Sequence, residues 1–150
     1  MVDYRKKERL ISLNDNYKEY KRIFAAFLAH LKDVIESEKQ LELSVLDAGD
    51  RHILFSFLDV RFEAALGVFI SKSGKPFGSI AFSKYDSKDP KESLLISILY
   101  FNDIGNAAWK VDQPFPDMNI EKAESAHHLL VEWLNQYLDS AIGASDRPEG

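Results

Sequence analysis

Apolar residues recur every three or four positions between Tyr17 and Ile35, and this period predicts an amphipathic helix with one buried face. The stripe consists of Tyr17, Tyr20, Ile23, Phe24, Phe27, Leu28, Leu31, Val34 and Ile35. Asn14 or Asp15 is the expected N-cap, since both residue types accept hydrogen bonds from the first free backbone amides of a helix. The helix is expected to end within residues 37–40, where the apolar period stops.

Residues 1–13 precede this stripe and are interpreted as a charged lead-in. They contain four cations and two carboxylates, followed by apolar side chains at Leu10, Ile11 and Leu13. Two interpretations fit this pattern. One is a solvated segment whose apolar end docks on the domain, and the other is a basic arm that meets an acidic partner.

From Leu41 to Lys110 the pattern changes to short apolar runs separated by turn residues, which predicts an antiparallel β-meander. Alternation of apolar and polar side chains is clearest at the start, where Leu41, Leu43 and Val45 are separated by polar residues. Five or six strands are expected, and they occupy residues 41–45, 52–60, 61–70, 77–85, 94–101 and 107–111.

A second helix is predicted near the C-terminus, starting at Asp117 or Asn119 and running to about Ile142. On the 3.6-residue period its buried face is expected to contain Ile120, Ala123, His127, Leu130, Val131, Leu134, Tyr137, Leu138 and Ala141. Residues 143–150 are expected to form a flexible tail.

The chain is therefore predicted to be a single α+β domain over residues 1–150: a helix, a meander and a helix, with both helices packed on the sheet. Several strands carry apolar residues on both sides. These surplus residues come from the set Leu54, Leu58, Val60, Phe69, Leu95, Leu99 and Phe101. Either both helices cover one face, which leaves the other for a second copy or a partner, or one helix covers each face.

Composition narrows the class of protein. The apolar fraction of 45% is that of a globular protein, and the absence of cysteine excludes disulfides, cysteine-ligated zinc and thiol catalysis. The net charge is −5, and this acidic balance argues against nucleic-acid binding. Neither a signal peptide nor an apolar run long enough for a membrane span is visible, so we expect a cytoplasmic protein with no membrane partner.

No sequence motif points to a catalytic centre, a nucleotide site or a cofactor. The histidines are scattered. His128 and Glu132 lie four residues apart on the predicted helix, but a metal site needs a third ligand. We therefore assign no catalytic residue, no metal and no cofactor.

The favoured hypothesis is a noncatalytic protein-binding module, such as an adaptor, chaperone or inhibitor, that forms a homodimer. Leu129 and Trp133 are displaced from the expected buried face of the last helix, so they either form an exposed partner-binding patch, as this hypothesis requires, or are covered by loops such as residues 114–116. The alternative is a small-molecule or enzymatic cavity between the sheet and the terminal helices. Its candidate residues are Arg61, Tyr100, Trp109 and His127.

Overall fold

The computed structural model of the chain describes residues 2–86, 88–111 and 118–145. The elements, in chain order, are helix α1 (Tyr4–Ser37), strands β1 (Leu43–Ala48), β2 (His52–Phe57), β3 (Val60–Ile70), β4 (Pro76–Lys84), β5 (Leu94–Phe101) and β6 (Ala107–Ala108), and helix α2 (Ala123–Ser145). A 3-10 turn (Pro90–Glu92) lies between β4 and β5. The expected α+β order of helix, antiparallel meander and helix is confirmed.

The six strands form one sheet in which spatial order follows chain order, and every neighbouring pair is antiparallel. β2 and β3 are joined by the two-residue turn Leu58–Asp59. Gly78 of β4 lies opposite Phe101 of β5, and a Cβ at Gly78 would collide with the Phe101 ring. A glycine is therefore required where this ring packs across the strand.

Both helices pack on the same face of the sheet. From α2, Trp133 stacks on Phe82 of β4 with ring centroids 5.0 Å apart, and Tyr137 meets the edge of Phe62 at 4.9 Å. From α1, Phe27 meets Trp133 edge-on at 5.9 Å. The core thus lies in one layer between the helices and the sheet. Of the two packings that the sequence allows, the structure has both helices on one face and not one helix on each face.

The opposite face of the sheet has no covering layer in the described part of the chain. Cross-strand pairs place Leu54 beside Glu63, and Ala81 beside Ile98, on this face. Of the surplus apolar residues, Leu54 and Phe69 lie here. Leu99 and Phe101 belong instead to the core, where both are fully buried.

α1 begins about ten residues earlier than the sequence pattern predicted. Its N-cap is Asp3, whose carboxylate accepts hydrogen bonds from the backbone N–H groups of Arg5 (3.0 Å) and Lys6 (3.4 Å). Asn14 and Asp15 lie inside the helix, so the expected N-cap is wrong. Residues 4–13 contain neither glycine nor proline and are rich in Arg, Lys, Glu and Leu, which favour helix without needing a buried face.

α2 begins at Ala123, later than expected. Asp117 lies outside the described residues. The Asn119 side chain holds the loop before α2, since its Nδ2 donates to the carbonyl oxygen of Ile104 at 2.8 Å and its Oδ1 accepts from the Glu121 N–H at 2.9 Å. The helix continues to Ser145, so the start of the expected tail is helical; residues 146–150 are outside the described residues.

The expected buried face of α2 is rotated relative to the observed one. Within residues 123–141 of α2, the buried residues are Ser125, Ala126, Leu129, Leu130, Trp133 and Leu134. His127, Val131 and Leu138 are exposed, although the sequence pattern placed them in the core. Neither described helix is long and apolar enough to cross a membrane.

Candidate partner-binding groove

The proposed surface patch on α2 is not at the surface. Leu129 and Trp133 are both 0% exposed, and Trp133 sits between Phe27 and Phe82. They cannot contact a partner in the folded chain, so the prediction of an exposed patch is wrong. Their burial follows from packing: Trp133 has more apolar area to remove from water than Val131 or Leu138.

The four residues of the proposed ligand pocket are not brought together. Arg61 and Tyr100 are on the open face of the sheet, where Tyr100 packs against Phe69 at a centroid distance of 5.0 Å. Trp109 is half-buried and packs against the core on the other side, and His127 is exposed on α2. Arg61 and Tyr100 thus lie on the opposite side of the sheet from Trp109 and helix α2.

An apolar cavity lies elsewhere, where the N-terminal part of α1 projects past the start of α2. The carboxylate Oε1 of Glu121, just before α2, lies 2.7 Å from Nη1 of Arg22 on α1. α2 therefore begins beside Arg22, and neither of the two described helices runs alongside residues 4–17 of α1. We call residues 4–17 the arm; at 1.5 Å per residue it is about 20 Å long.

The groove is the space between the arm and the hairpin formed by β3 and β4. Its volume is about 550 Å³, and an adjoining cavity of about 320 Å³ continues it along the arm. Both cavities are lined by Leu10 and Leu13. The hairpin contributes Val68, Ile70, Gly74 and Pro76, and the arm also contributes Lys6, Arg9, Ser12, Asn14, Asn16 and Tyr17.

The apolar lining residues of the groove are incompletely covered. Leu10 is 66% exposed, Ile70 is 43% exposed and Val68 is 40% exposed. On the helical period, Leu10, Leu13 and Tyr17 extend the stripe that is buried from Tyr20 onward. The same face of α1 thus packs on the sheet along most of its length and faces open space at its beginning.

Two cations lie in the groove without an anionic partner. None of the described residues that line it is acidic, and Lys6 and Arg9 make no ion pair within the described chain. Arg9 reaches the hairpin tip, because a Cβ at Gly74 would lie 3.8 Å from its Nη2. An apolar floor with two unpaired cations favours an amphipathic anionic ligand.

Ion pairing is instead concentrated at the base of the arm. Arg22 contacts Glu19 and Glu121, with Nε–Oε1 and Nη1–Oε1 distances of 2.8 and 2.7 Å. The hydrogen bond from Arg22 lowers the pKa of Glu19, and the two carboxylates raise the pKa of Arg22. These pairs fix the start of α2 against α1 and leave the cations of the arm free.

A second cavity lies at the other end of the sheet, between the β2–β3 turn and the loop after β4. It is lined by residues of both charges, among them Arg61, Lys84 and Asp86. The Asp86 carboxylate accepts hydrogen bonds from the backbone of Lys88 (2.9 Å) and Asp89 (3.2 Å), and these bonds lower its pKa. Asp86 therefore organises the loop itself.

The metal-ligating side chains are scattered over the described residues. No three His, Asp or Glu side chains are close enough to hold a metal ion within residues 2–86, 88–111 and 118–145. His52 contacts Asp47 at 3.2 Å on an exposed edge of the sheet, with no nucleophile hydrogen-bonded to either. The groove itself offers apolar side chains and two cations, which act on a ligand through noncovalent contacts.

Comparison of this chain with protein-family models, curated proteins and solved structures found no match. Its function is therefore inferred from the groove. The sequence contained one signal for it, the continuation of the helical period through Leu10 and Leu13, which the assignment of residues 1–13 to a lead-in overlooked.

Proposed function

We propose that this chain is a noncatalytic protein-binding module that holds an acidic, amphipathic segment of a partner protein in the groove. The observation that supports this proposal is the combination of exposed apolar lining residues with two unpaired cations, Lys6 and Arg9. Exposed apolar residues in contiguous patches mark interaction sites. Adaptor, chaperone and inhibitor roles, and cytoplasmic residence, stay predictions from the sequence.

Each part of the groove has a separate role in this proposal. Leu10, Leu13 and Ile70 supply apolar area whose burial drives association, at about 25 cal/mol for each Å² removed from water. Lys6 and Arg9 select partners by charge and speed their encounter. Because association also costs translational and side-chain entropy, we expect a dissociation constant on the order of micromolar.

Fluorescence anisotropy tests this proposal with a pair of labelled helical peptides of about 18 residues. One peptide has leucines on one face and flanking glutamates, and the other has lysines in place of the glutamates. The acidic peptide is expected to bind at least about tenfold more tightly, because each factor of ten needs only ~1.4 kcal/mol of differential interaction. Equal binding of the two peptides, or no binding of either, would contradict the proposal.

Variants locate the bound peptide. Lys6→Glu/Arg9→Glu reverses the charges in the groove and is expected to abolish the preference for the acidic peptide. Arg5→Glu/Lys7→Glu changes the net charge by the same amount on the same arm, but at residues outside the groove. This variant is expected to retain most of the preference for the acidic peptide. Leu10→Ser/Ile70→Ser should weaken the binding of both peptides. Leu94→Ser, at an exposed residue away from the groove, should leave the binding of both unchanged.

A small amphipathic anion is the second candidate ligand. The groove lies between the sheet and a terminal helix, as the cavity hypothesis expects, and its volume of about 550 Å³ is within the range of ligand pockets. Such pockets bury most of their ligand, however, and here Leu10 is 66% exposed. A polypeptide that covers the arm fits this exposure better, and native mass spectrometry of the purified protein would reveal any retained small molecule.

A further inference from the structure

We infer that, in the protein alone, the acidic segment in the groove is helix α2 of a second copy, so that two chains form a reciprocal dimer. This inference rests on the proposed function, since it names the partner of the same groove. It requires that α2 present an acidic, partly apolar face, that α2 be unable to reach its own groove, and that the contact close symmetrically.

The first requirement is met by the surface of α2. Residues 123–141 contain Glu124, Glu132 and Asp139 and no lysine or arginine. All three carboxylates are exposed. On the same side of the helix, Val131 and Leu138 are 42% and 41% exposed. Being two turns apart, these two apolar residues are separated by about 10 Å along the axis, which places both against the floor of a groove that extends along the arm.

The second requirement is met by the direction of α2. It starts beside Arg22, through the 2.7 Å contact with Glu121, and further along Trp133 lies beside Phe27. α2 therefore runs along α1 away from the arm. The basic arm and the acidic helix face are thus complementary in charge but separated within one chain, and they can meet only between two copies.

The third requirement is symmetry. When the arm of one copy covers α2 of its partner, a two-fold axis brings the partner's arm onto the first copy's α2, so both grooves are filled and the assembly closes. It follows that an external acidic segment and α2 of the second copy compete for one site. The dimer is then the resting form, and partner binding dissociates it.

Charge reversal on the full chain tests this inference by sedimentation velocity across a range of protein concentrations and salt. Lys6→Glu/Arg9→Glu alone and Glu132→Lys/Asp139→Lys alone are each expected to weaken the dimer at least tenfold. An equimolar mixture of the two is expected to recover it, because the reversed arm meets the reversed α2 while the native arm meets the native α2. Arg5→Glu/Lys7→Glu is the matched control, and it should dimerise like the parent.

Each outcome decides a different point. A parent chain that stays monomeric at high concentration but binds the acidic peptide overturns the dimer inference and leaves the proposed function standing. A monomer that binds no peptide overturns both. A dimer that resists both charge reversals but is lost on Tyr100→Glu uses the open face of the sheet, and this result overturns the inference. Failure of the equimolar mixture to recover the dimer also overturns it.

Discussion

Trp133 is the residue for which the sequence-based assignment and the structure differ most. The apolar residues of α2 cover a wide arc, so Val131 and Leu138 on one side and Leu129 and Trp133 on the other compete for the core. Periodicity fixes the width of such an arc but not its centre. The centre is set by the sheet, where the ring of Phe82 offers Trp133 a parallel stacking surface.

Replacement of this indole is expected to be costly. Trp133→Ala removes the largest fully buried side chain and its contacts with Phe27 and Phe82, so the free energy of unfolding should fall by about 3–5 kcal/mol. Urea denaturation measures the loss. His127→Ala on the exposed side of the same helix is the control, with an expected change within about 0.5 kcal/mol. A small loss at Trp133 would mean that α2 packs with a different face.

The turn between β2 and β3 allows a stabilising prediction. Leu58 and Asp59 have φ angles of 52° and 64°, a left-handed conformation that aspartate tolerates but that costs a leucine about 1 kcal/mol. Asn-Gly is the preferred sequence for a two-residue turn of this kind. Leu58→Asn/Asp59→Gly should therefore raise the free energy of unfolding by about 1 kcal/mol.

The opposite substitution at the next hairpin serves as the control for this prediction. Gly74 has a φ of 85°, and a Cβ there would make an ordinary 3.8 Å contact with Nη2 of Arg9, so Gly74→Ala tests backbone strain without a steric clash. It is expected to lower the free energy of unfolding by about 1 kcal/mol in the same urea experiment. If both variants match the parent, positive φ angles carry no measurable cost in these turns.

Among the elements, those with an uninterrupted apolar period were predicted well. The stripe from Tyr20 to Ile35 is buried in α1, except for the half-buried Val34, and the alternating runs became strands in the expected order. The start of α1 was missed because the arm has no buried face, and a helix that faces open space leaves no complete amphipathic pattern to read. A partial pattern, Leu10 and Leu13, was present.

The groove was beyond prediction for a different reason. Its two walls are separated by about fifty residues in the chain, and only the fold brings Leu10 close to Ile70. Ile70 and Val68 continue the alternation of β3, so in the sequence they look like ordinary core positions. Nothing local indicates that α1 diverges from the hairpin there and leaves them exposed.

At the scale of the whole molecule, the sequence left undecided which face of the sheet each helix covers. Alternation in a strand distinguishes two faces but does not say which one is covered, and several strands are apolar on both sides. Long-range contacts, such as those of Phe82 with Trp133 and of Phe62 with Tyr137, determine which face is covered. With both helices on one face, the chain has one well-packed layer and two poorly covered surfaces, the open sheet face and the groove.

This uneven packing predicts an uneven stability that hydrogen exchange can measure. Amides in residues 20–35 of α1 lie over the core and should exchange only through openings close to global unfolding. Residues 4–12 are all exposed, and a helical segment without tertiary contacts is marginal in water. In dilute protein, amides of the arm should therefore open with a free energy of about 0–1 kcal/mol.

Occupation of the groove should change this profile at both of its walls. Acidic peptide, or a higher protein concentration if the dimer forms, is expected to protect the arm and residues 68–76 of the hairpin together, because both walls contact the same occupant. Hydrogen exchange measured by mass spectrometry on proteolytic fragments reports the protection of the two segments separately. Protection of the arm alone would indicate a helix-to-helix contact outside the groove, and an arm already protected in the dilute monomer would mean that the groove is closed without any partner.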